Sequence, residues 1–189
     1  MESLSTTPYH APSVPPPSNT TPPARIPSSV YRVQHAKMQT LYAFAAGFRS
    51  KNRSTILNER TLLGTFSVAH LTRQTNISSP FISVYDSLPH AEAVAEMWSG
   101  KCGEQCFVVT IDTNYLARGP VFRAADLLGE RESEMSEEER WLHKGEYLFL
   151  YRIPAEAIRV QTPVGRAPVA GWRAPGGSDK LDKYAGMCR

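Results

Sequence analysis

The chain has 189 residues, of which 41% are hydrophobic and 21% are charged, a composition that predicts one globular domain with tails and excludes a wholly disordered chain. The 21 Lys and Arg residues against 18 Asp and Glu residues leave a formal charge of +3, which is too small to predict nucleic-acid binding by itself. No apolar run approaches the length of a membrane span and no signal peptide is visible, so we expect a cytoplasmic or nuclear protein without membrane contact.

Proline, serine and threonine dominate residues 1–28, which predicts a disordered tail because such a segment has little apolar surface to bury. The folded domain is expected over residues 29–162. From residue 163 to residue 189 the composition shifts to Gly, Pro, Arg and Lys, which predicts a second, loosely ordered basic tail.

One strand and two helices are predicted in the first part of the domain. The alternating run over residues 30–33 predicts the first strand. Apolar residues at helical spacing over residues 38–48 predict a helix. Residues 58–71 predict another helix, in which His70 shares the apolar face.

The middle of the chain carries the clearest strand and helix patterns. The β-branched and aromatic residues of segment 80–85 predict a strand. A cap at Asp86 or Ser87 predicts the start of a helix that ends at Gly100. The apolar run over residues 106–111 predicts a buried strand.

The last part of the domain completes a mixed architecture. Residues 136–139, Ser-Glu-Glu-Glu, predict a capping box before a short helix, and residues 147–153 predict one more strand. Because strands and helices do not alternate strictly, we expect an α+β fold with mainly antiparallel strands. No Gly-rich dinucleotide fingerprint follows the first strand, so a nucleotide would have to be held in another way.

Three short motifs supply an Arg, a Ser and a Glu in this order. The pair Tyr31-Arg32 lies on the first predicted strand, Ser83 lies within Phe-Ile-Ser-Val-Tyr on the second, and Glu146 opens the last hydrophobic strand. This order resembles the ADP-ribosyltransferase superfamily, in which a strand Arg, a strand Ser and a strand Glu converge on NAD. The chain is also similar to an uncharacterised fungal branch with the same Ser-Pro-Phe-Ile-Ser opening.

The resemblance covers roughly residues 30–160 and implies a split two-sheet core, flanked by helices, around an NAD cleft. It implies NAD as a substrate and cleavage of the nicotinamide–ribose bond. The reaction would be ADP-ribosyl transfer to an unknown macromolecular acceptor, protein or nucleic acid, or NAD glycohydrolysis. The catalytic residues implied are Glu146, Ser83 and Arg32.

The chemistry of that cleavage suits these residue types. The bond breaks through an oxocarbenium-like state, and a carboxylate such as Glu146 stabilises its positive charge and holds a ribose hydroxyl. The planar donor fork of Arg32 grips phosphate or ribose oxygens. The short hydroxyl of Ser83 orients the ribose or supports the carboxylate.

Three further residues are candidates for contacts with NAD. Tyr85 or Phe81 offers an aromatic face to the nicotinamide ring, and His35 is placed to contact adenosine or phosphate. No metal is implied. Cys102 and Cys106 are interpreted as two reduced thiols rather than as half of a zinc site, because no second ligand pair lies at a suitable spacing.

Two departures from the superfamily pattern leave the activity open. The run at Ser83 is Ser-Val-Tyr, where many active members carry Ser-Thr-Ser. Lys144 lies where many protein-directed transferases carry Gln or Glu, and it is interpreted with His143 as a loop residue. The acidic segment 130–140 corresponds to the acceptor-recognition loop, and it would suit a basic acceptor or form a solvated helix face.

Two non-catalytic alternatives therefore stand beside the enzyme. The first is a binding module that keeps the fold but holds a protein or nucleic-acid partner. The second is a nucleic-acid-binding domain that uses the basic residues Arg49, Lys51, Arg53 and Arg60.

Overall fold

The computed structural model describes residues 26–57, 60–74, 76–116 and 120–165. The strands are β1 (Ser29–Gln34), β2 (Leu41–Ala43), β3 (Gly47–Arg49), β4 (Phe81–Tyr85), β5 (Cys106–Asp112), β6 (Val121–Arg123), β7 (Glu146–Leu150), β8 (Arg152–Ile153) and β9 (Ile158–Val164). The α-helices are α1 (Arg60–Leu71), α2 (Leu88–Cys102), α3 (Ala124–Leu128) and α4 (Glu137–Leu142). Short 3-10 turns occupy Thr113–Tyr115, Gly129–Glu134 and Ala155–Ala157.

The described strands form two sheets. Six strands pair in the order β6-β7-β4-β1-β5-β9, and three pair in the order β2-β3-β8. The pairings between described strands are antiparallel. The predicted α+β fold with two sheets is confirmed. Much of the two predicted tails, residues 1–25 and 166–189, lies outside the described residues.

Strand alternation sorts the core into layers on either side of β4. Ile82 and Val84 lie in one apolar cluster with Phe48 and Ile153, which come from the smaller sheet. Phe81 and Tyr85, with the opposite parity, pack toward the helices. The larger sheet therefore lies between the smaller sheet and the helices.

The larger sheet is split between its two central strands. Strand β1 pairs with β5 over six residues, from Ser29↔Asp112 to Gln34↔Phe107. With β4, on its other side, β1 shares a single bridged pair, Tyr31↔Tyr85. The two strands diverge beyond this pair, and the sheet opens there.

The chain passes from one sheet to the other at Tyr151. This residue has a φ of +62°, which ends β7 and starts β8 in the smaller sheet. Its amide donates to Pro80 O over 2.9 Å and its hydroxyl donates to Thr55 O over 2.5 Å. The single strand predicted over residues 147–153 is therefore wrong, because these tertiary contacts hold Tyr151 in a left-handed conformation.

The helix predicted over residues 38–48 is also wrong, because β2 and β3 form a hairpin there. The helix-like spacing does not match burial, since Phe44 is 89% exposed while Phe48 is buried. Gly47 has a φ of +73° and packs its backbone against the carbonyl of Ile153. Only a residue without a side chain fits this contact.

Helices α1, α2 and α4 follow their sequence patterns. Helix α1 lies within the predicted segment 58–71, whose first two residues lie outside the description. The Ser87 side chain caps α2, which continues past the predicted end at Gly100 to a left-handed Gly103. The capping box predicted before α4 is present, with both reciprocal hydrogen bonds between Ser136 and Glu139. No helix among the described residues is long and apolar enough to cross a membrane.

The two cysteines near the end of α2 differ in state. Cys106 is a buried free thiol, whereas Cys102 is disulfide-bonded. The expectation of two reduced thiols is therefore wrong for Cys102.

Replacing Gly47 by Ala is expected to destabilise the domain by about 2 kcal/mol or more. The added Cβ would lie 2.1 Å from Ile153 O, in a backbone conformation that L-residues rarely adopt. Gly64→Ala in α1 is the matched control, because a Cβ there meets nothing within 4 Å. The control should gain about 0.5–1 kcal/mol from helix propensity. Urea unfolding measures both, and equal stabilities would contradict the close contact.

Candidate functional site

A cleft with a cavity volume of about 140 Å³ opens to solvent at the split in the larger sheet. Residues from β1, β4, β7, α1 and α2 line it. The structure brings all six predicted site residues to this cleft: Arg32, His35, Phe81, Ser83, Tyr85 and Glu146. The convergence arises because β4 lies between β1 and β7 in the sheet.

Glu146 is a buried carboxylate, with only 5% of its surface exposed. Its Oε2 lies 2.5 Å from Nδ1 of His143. The side chain of Ser83 is close enough to act on the pKa of this carboxyl. Burial acts to raise the pKa of this carboxyl, but the hydrogen bond and charge of His143 and the Ser83 side chain outweigh it, so the pKa lies below its usual value. Glu146 is therefore ionised at neutral pH.

The turn before Glu146 requires glycine. Gly145 has a φ of +66°, and a Cβ there would lie 2.1 Å from Oδ1 of Asp86. The amide of Asp86 donates to Gly145 O over 3.0 Å, and the next pair along the ladder is Tyr85↔Glu146. This contact between the ends of β4 and β7 fixes where the Glu146 side chain enters the cleft.

Ser83 belongs to a partly buried chain of hydrogen bonds. Its Oγ lies 2.7 Å from Nε2 of His70, whose Nδ1 lies 2.7 Å from Oγ of Ser79. The amide of Phe81 donates to the same Ser79 oxygen. Burial lowers the pKa of His70 to about 4, so its ring is neutral at neutral pH.

One direction of donation satisfies every group of this chain. A backbone N–H can only donate, and an ionised carboxylate can only accept. Every group is satisfied if Ser79 donates to His70, His70 donates to Ser83, and Ser83 donates to Glu146. In that arrangement His70 orients the Ser83 hydroxyl toward the carboxylate.

Arg32 approaches the cleft from the other face of the sheet, opposite Val109 and near the ring of Phe48. Its Nη1 donates to the backbone oxygen of Ser83 over 2.8 Å, across the split between β1 and β4. Other donors reach Gln34 Oε1 over 3.2 and 3.1 Å and Met38 Sδ over 3.7 Å. Burial lowers the pKa of Arg32 to about 10, which leaves it charged at neutral pH.

The three other predicted residues form the walls of the cleft. The ring of Phe81 packs edge-on against His70 and Phe122 within the core, so Phe81 forms part of the buried lining of the cleft. Tyr85 is buried, and this burial raises the pKa of its hydroxyl. His35 stacks on Trp98 with ring centroids 6.5 Å apart, and burial lowers its pKa.

The cleft is predominantly basic. Besides Arg32, the described lining residues include Lys37, Lys51 and Arg73, against Glu146 as the single carboxylate among them. A concave site with this balance attracts anions such as a diphosphate. Within the described part of the chain, no group of three or more His, Cys, Asp or Glu residues is arranged to hold a metal ion.

Two contacts of the site were missed from sequence. His70 was assigned only to the apolar face of α1, and its position on that face was the only indication that it points inward. His143 was interpreted as a loop residue, although it ends α4 and contacts Glu146. The one available sign was a spacing of three residues from the candidate carboxylate.

Comparison with known proteins identifies a family. The model of DUF7587, described as a domain of unknown function, matches residues 25–166, and the chain belongs to this family. No curated protein matches the chain. A solved structure named EcPltA is 21% identical and covers 69% of this chain and 72% of its own, with a TM-score of 0.43. A similarity at this level assigns no function.

Stability is expected to fall as the pH decreases from 6.5 toward 4. The pKa of His70 is 6.5 in an unfolded chain and about 4 when folded, so the unfolded state binds more protons in this window. The contribution is present above pH 6.5 and lost below pH 4, and its full size is about 3 kcal/mol. Urea unfolding across this pH range measures it.

His70→Gln is the control for this titration. It removes the titrating ring and leaves Glu146 in place. The stability that Glu146 contributes is present in both proteins and is lost only as the pH falls through the carboxylate range. Subtracting the two pH profiles isolates His70. Parallel profiles would show that the ring is protonated equally in both states, against its burial.

Proposed function

We propose that this member of the DUF7587 family cleaves the nicotinamide–ribose bond of NAD, as an ADP-ribosyltransferase or as an NAD glycohydrolase. The observation that carries the proposal is the buried, ionised carboxylate of Glu146, which lines one cleft with Arg32 and Ser83. A charged carboxylate buried away from water is destabilising unless other groups compensate its charge, and groups of this kind cluster at functional sites. Here the compensated carboxylate lines an open cleft.

Glu146 would act on the ribose. As the bond to nicotinamide breaks, its electron pair leaves with the ring nitrogen and positive charge develops on the ribose. A fixed carboxylate stabilises that charge without rearranging during the reaction. Water or an acceptor nucleophile then forms a bond to the same ribose carbon and loses a proton.

The basic groups of the cleft would hold the diphosphate. Arg32 is already fixed by its bond to Ser83 O, and Lys51 and Arg73 lie along the same lining. A preorganised guanidinium binds phosphate oxygens with little entropic cost. Stacking of nicotinamide on Tyr85 and contact of His35 with adenosine or phosphate remain predictions.

One departure from the superfamily pattern does not touch the cleft. Val84, which replaces the middle Thr of Ser-Thr-Ser, is fully buried in the cluster that faces the smaller sheet. Only Tyr85 of this departure lines the cleft. Lys144 is exposed, so the residue that differs from protein-directed transferases is free to contact an acceptor.

The nucleic-acid alternative is favoured by one feature of the smaller sheet. Arg49 lies directly opposite Arg152, and both are exposed. Like charges facing each other across a ladder repel, and no ion pair links either to a described carboxylate. Phe44 is exposed at the tip of the same hairpin, where a base could stack on it.

The test of this alternative is the salt dependence of binding to a single-stranded oligonucleotide. If the surface binds phosphates, the double variant Arg49→Gln and Arg152→Gln should lower the slope of log affinity against log salt by about 1.4, since each contact contributes about 0.7. An unchanged slope would exclude these residues from the contact. The side chain of Arg60 lies outside the described part.

Nicotinamide release from NAD by the purified chain tests the proposed enzyme. Glu146→Gln keeps the shape and removes the charge, so release should fall by about 100-fold or more. Glu156→Gln changes an exposed carboxylate in the 3-10 turn Ala155–Ala157, outside the cleft lining, and should leave the rate unchanged. Equal loss in both variants would exclude a specific role for Glu146.

NAD-dependent thermal stabilisation separates an inactive NAD site from a binding module for another partner. A ligand at 100 times its dissociation constant adds about 2.7 kcal/mol to the free energy of unfolding. Stabilisation without release would indicate a site that binds NAD but does not cleave it. If NAD causes no stabilisation and no nicotinamide is released, the binding-module alternative is favoured.

A further inference from the structure

The segment between α4 and β7 is a tight connection with His143 at its start. The amide of His143 donates to Glu139 O over 3.2 Å, which closes α4. Its carbonyl accepts from the amide of Glu146 over 3.2 Å, and the left-handed Gly145 completes the turn. The backbones of His143 and Glu146 are therefore fixed relative to each other.

Their side chains form a buried pair. His143 is 8% exposed and Glu146 is 5% exposed, and Nδ1 lies 2.5 Å from Oε2. An ionised carboxylate can only accept a hydrogen bond, so Nδ1 of His143 carries the proton and donates it. A carboxylate left alone in this position would carry a large desolvation cost.

Helix α4 holds the imidazole in place. Its first turn is closed by the Ser136 capping box, and Leu142 packs into the core beneath α2. Lys101 at the end of α2 pairs with Glu138, and the ring of Trp141 lies 5.0 Å from that of His90. The acidic segment before Glu146 is thus, in part, the rigid support of His143.

Two separate elements therefore direct donors at one carboxylate. Ser83 approaches from β4, where His70 orients it, and His143 approaches from the end of α4. A carboxylate held from two sides keeps one orientation, and Glu146 also lines the cleft. Removing one donor would free the group to rotate and would leave its charge less compensated.

We propose that His143 is a positioning residue that fixes the orientation and the charge of Glu146. This proposal rests on the proposed function only for its effect on catalysis, because the pair itself exists without NAD. His143 acts through the carboxylate and not on the substrate.

Carboxyl NMR of the full chain tests the proposal without NAD. In His143→Gln the ring donor that faces Oε2 is lost, and the midpoint of the Glu146 titration should rise by about one to three pH units. Lys144→Gln is the matched control, because it removes an exposed positive charge from the same turn and should leave the midpoint nearly unchanged. An unchanged midpoint in His143→Gln would overturn the proposal, as would an equal shift in the control.

A second measurement needs no substitution of His143. In the wild-type protein the Nδ1 proton of His143 should give a strongly downfield signal protected from exchange, since it is buried and hydrogen-bonded to a carboxylate. That signal should move upfield in Glu146→Gln. Its absence from the wild-type spectrum would overturn the proposal even if His143→Gln does not fold.

The catalytic consequence is read from the pH profile of nicotinamide release. In His143→Gln the acid limb of kcat should move to higher pH, while KM for NAD changes little, because binding groups elsewhere in the cleft are intact. An acid limb at the wild-type position would contradict the role in catalysis. A wild-type chain that releases no nicotinamide would defeat the proposed function, and the carboxyl titration would still decide the role of His143.

Discussion

The buried negative charge of Glu146 is the constraint on which the arrangement of the cleft depends. A carboxylate in the interior stays ionised only if donors replace the water that it has lost. His143 and Ser83 supply those donors, and the chain directs each of them through its own support. Helix α4 carries His143, and His70 with Ser79 orients Ser83. Several elements that are distant in sequence thus help to stabilise the buried charge of Glu146.

The opening of the sheet is a second requirement, and it involves a buried positive charge. Strand β1 pairs with β4 at one position only. Backbone groups along the split therefore need other hydrogen-bond partners. Arg32 satisfies one of them by donating to Ser83 O, and the ring of Phe48 covers the guanidinium. Arg32 and Glu146 each stabilise the charged form of the other, as the raising effect of Glu146 on the pKa of Arg32 indicates. The split is therefore both a structural junction and a site that holds two buried charges of opposite sign.

The cleft and the acidic segment carry charges of opposite sign. Basic residues predominate among the charged groups of the cleft lining, while carboxylates are concentrated on the segment from Glu130 to Glu139. Such a division favours an anionic ligand in the cleft and repels it from the acidic segment. An acceptor that bound this segment would have to be basic. The acceptor-recognition role expected for it remains a prediction, since its described contacts are those of a helix that supports His143.

The sequence by itself determined the elements whose cause is local. Alternation and β-branched residues predicted β4 and β5, caps predicted α2 and α4, and the order of Arg32, Ser83 and Glu146 predicted residues that line one cleft. Only the tertiary structure decided the hairpin at residues 38–48, the break at Tyr151 and the contacts of His70 and His143. Propensity and capping act between neighbours in the chain, whereas these features depend on which strands pair and in which register. A left-handed residue or a buried hydrogen bond is stable only where such pairing has already fixed its surroundings.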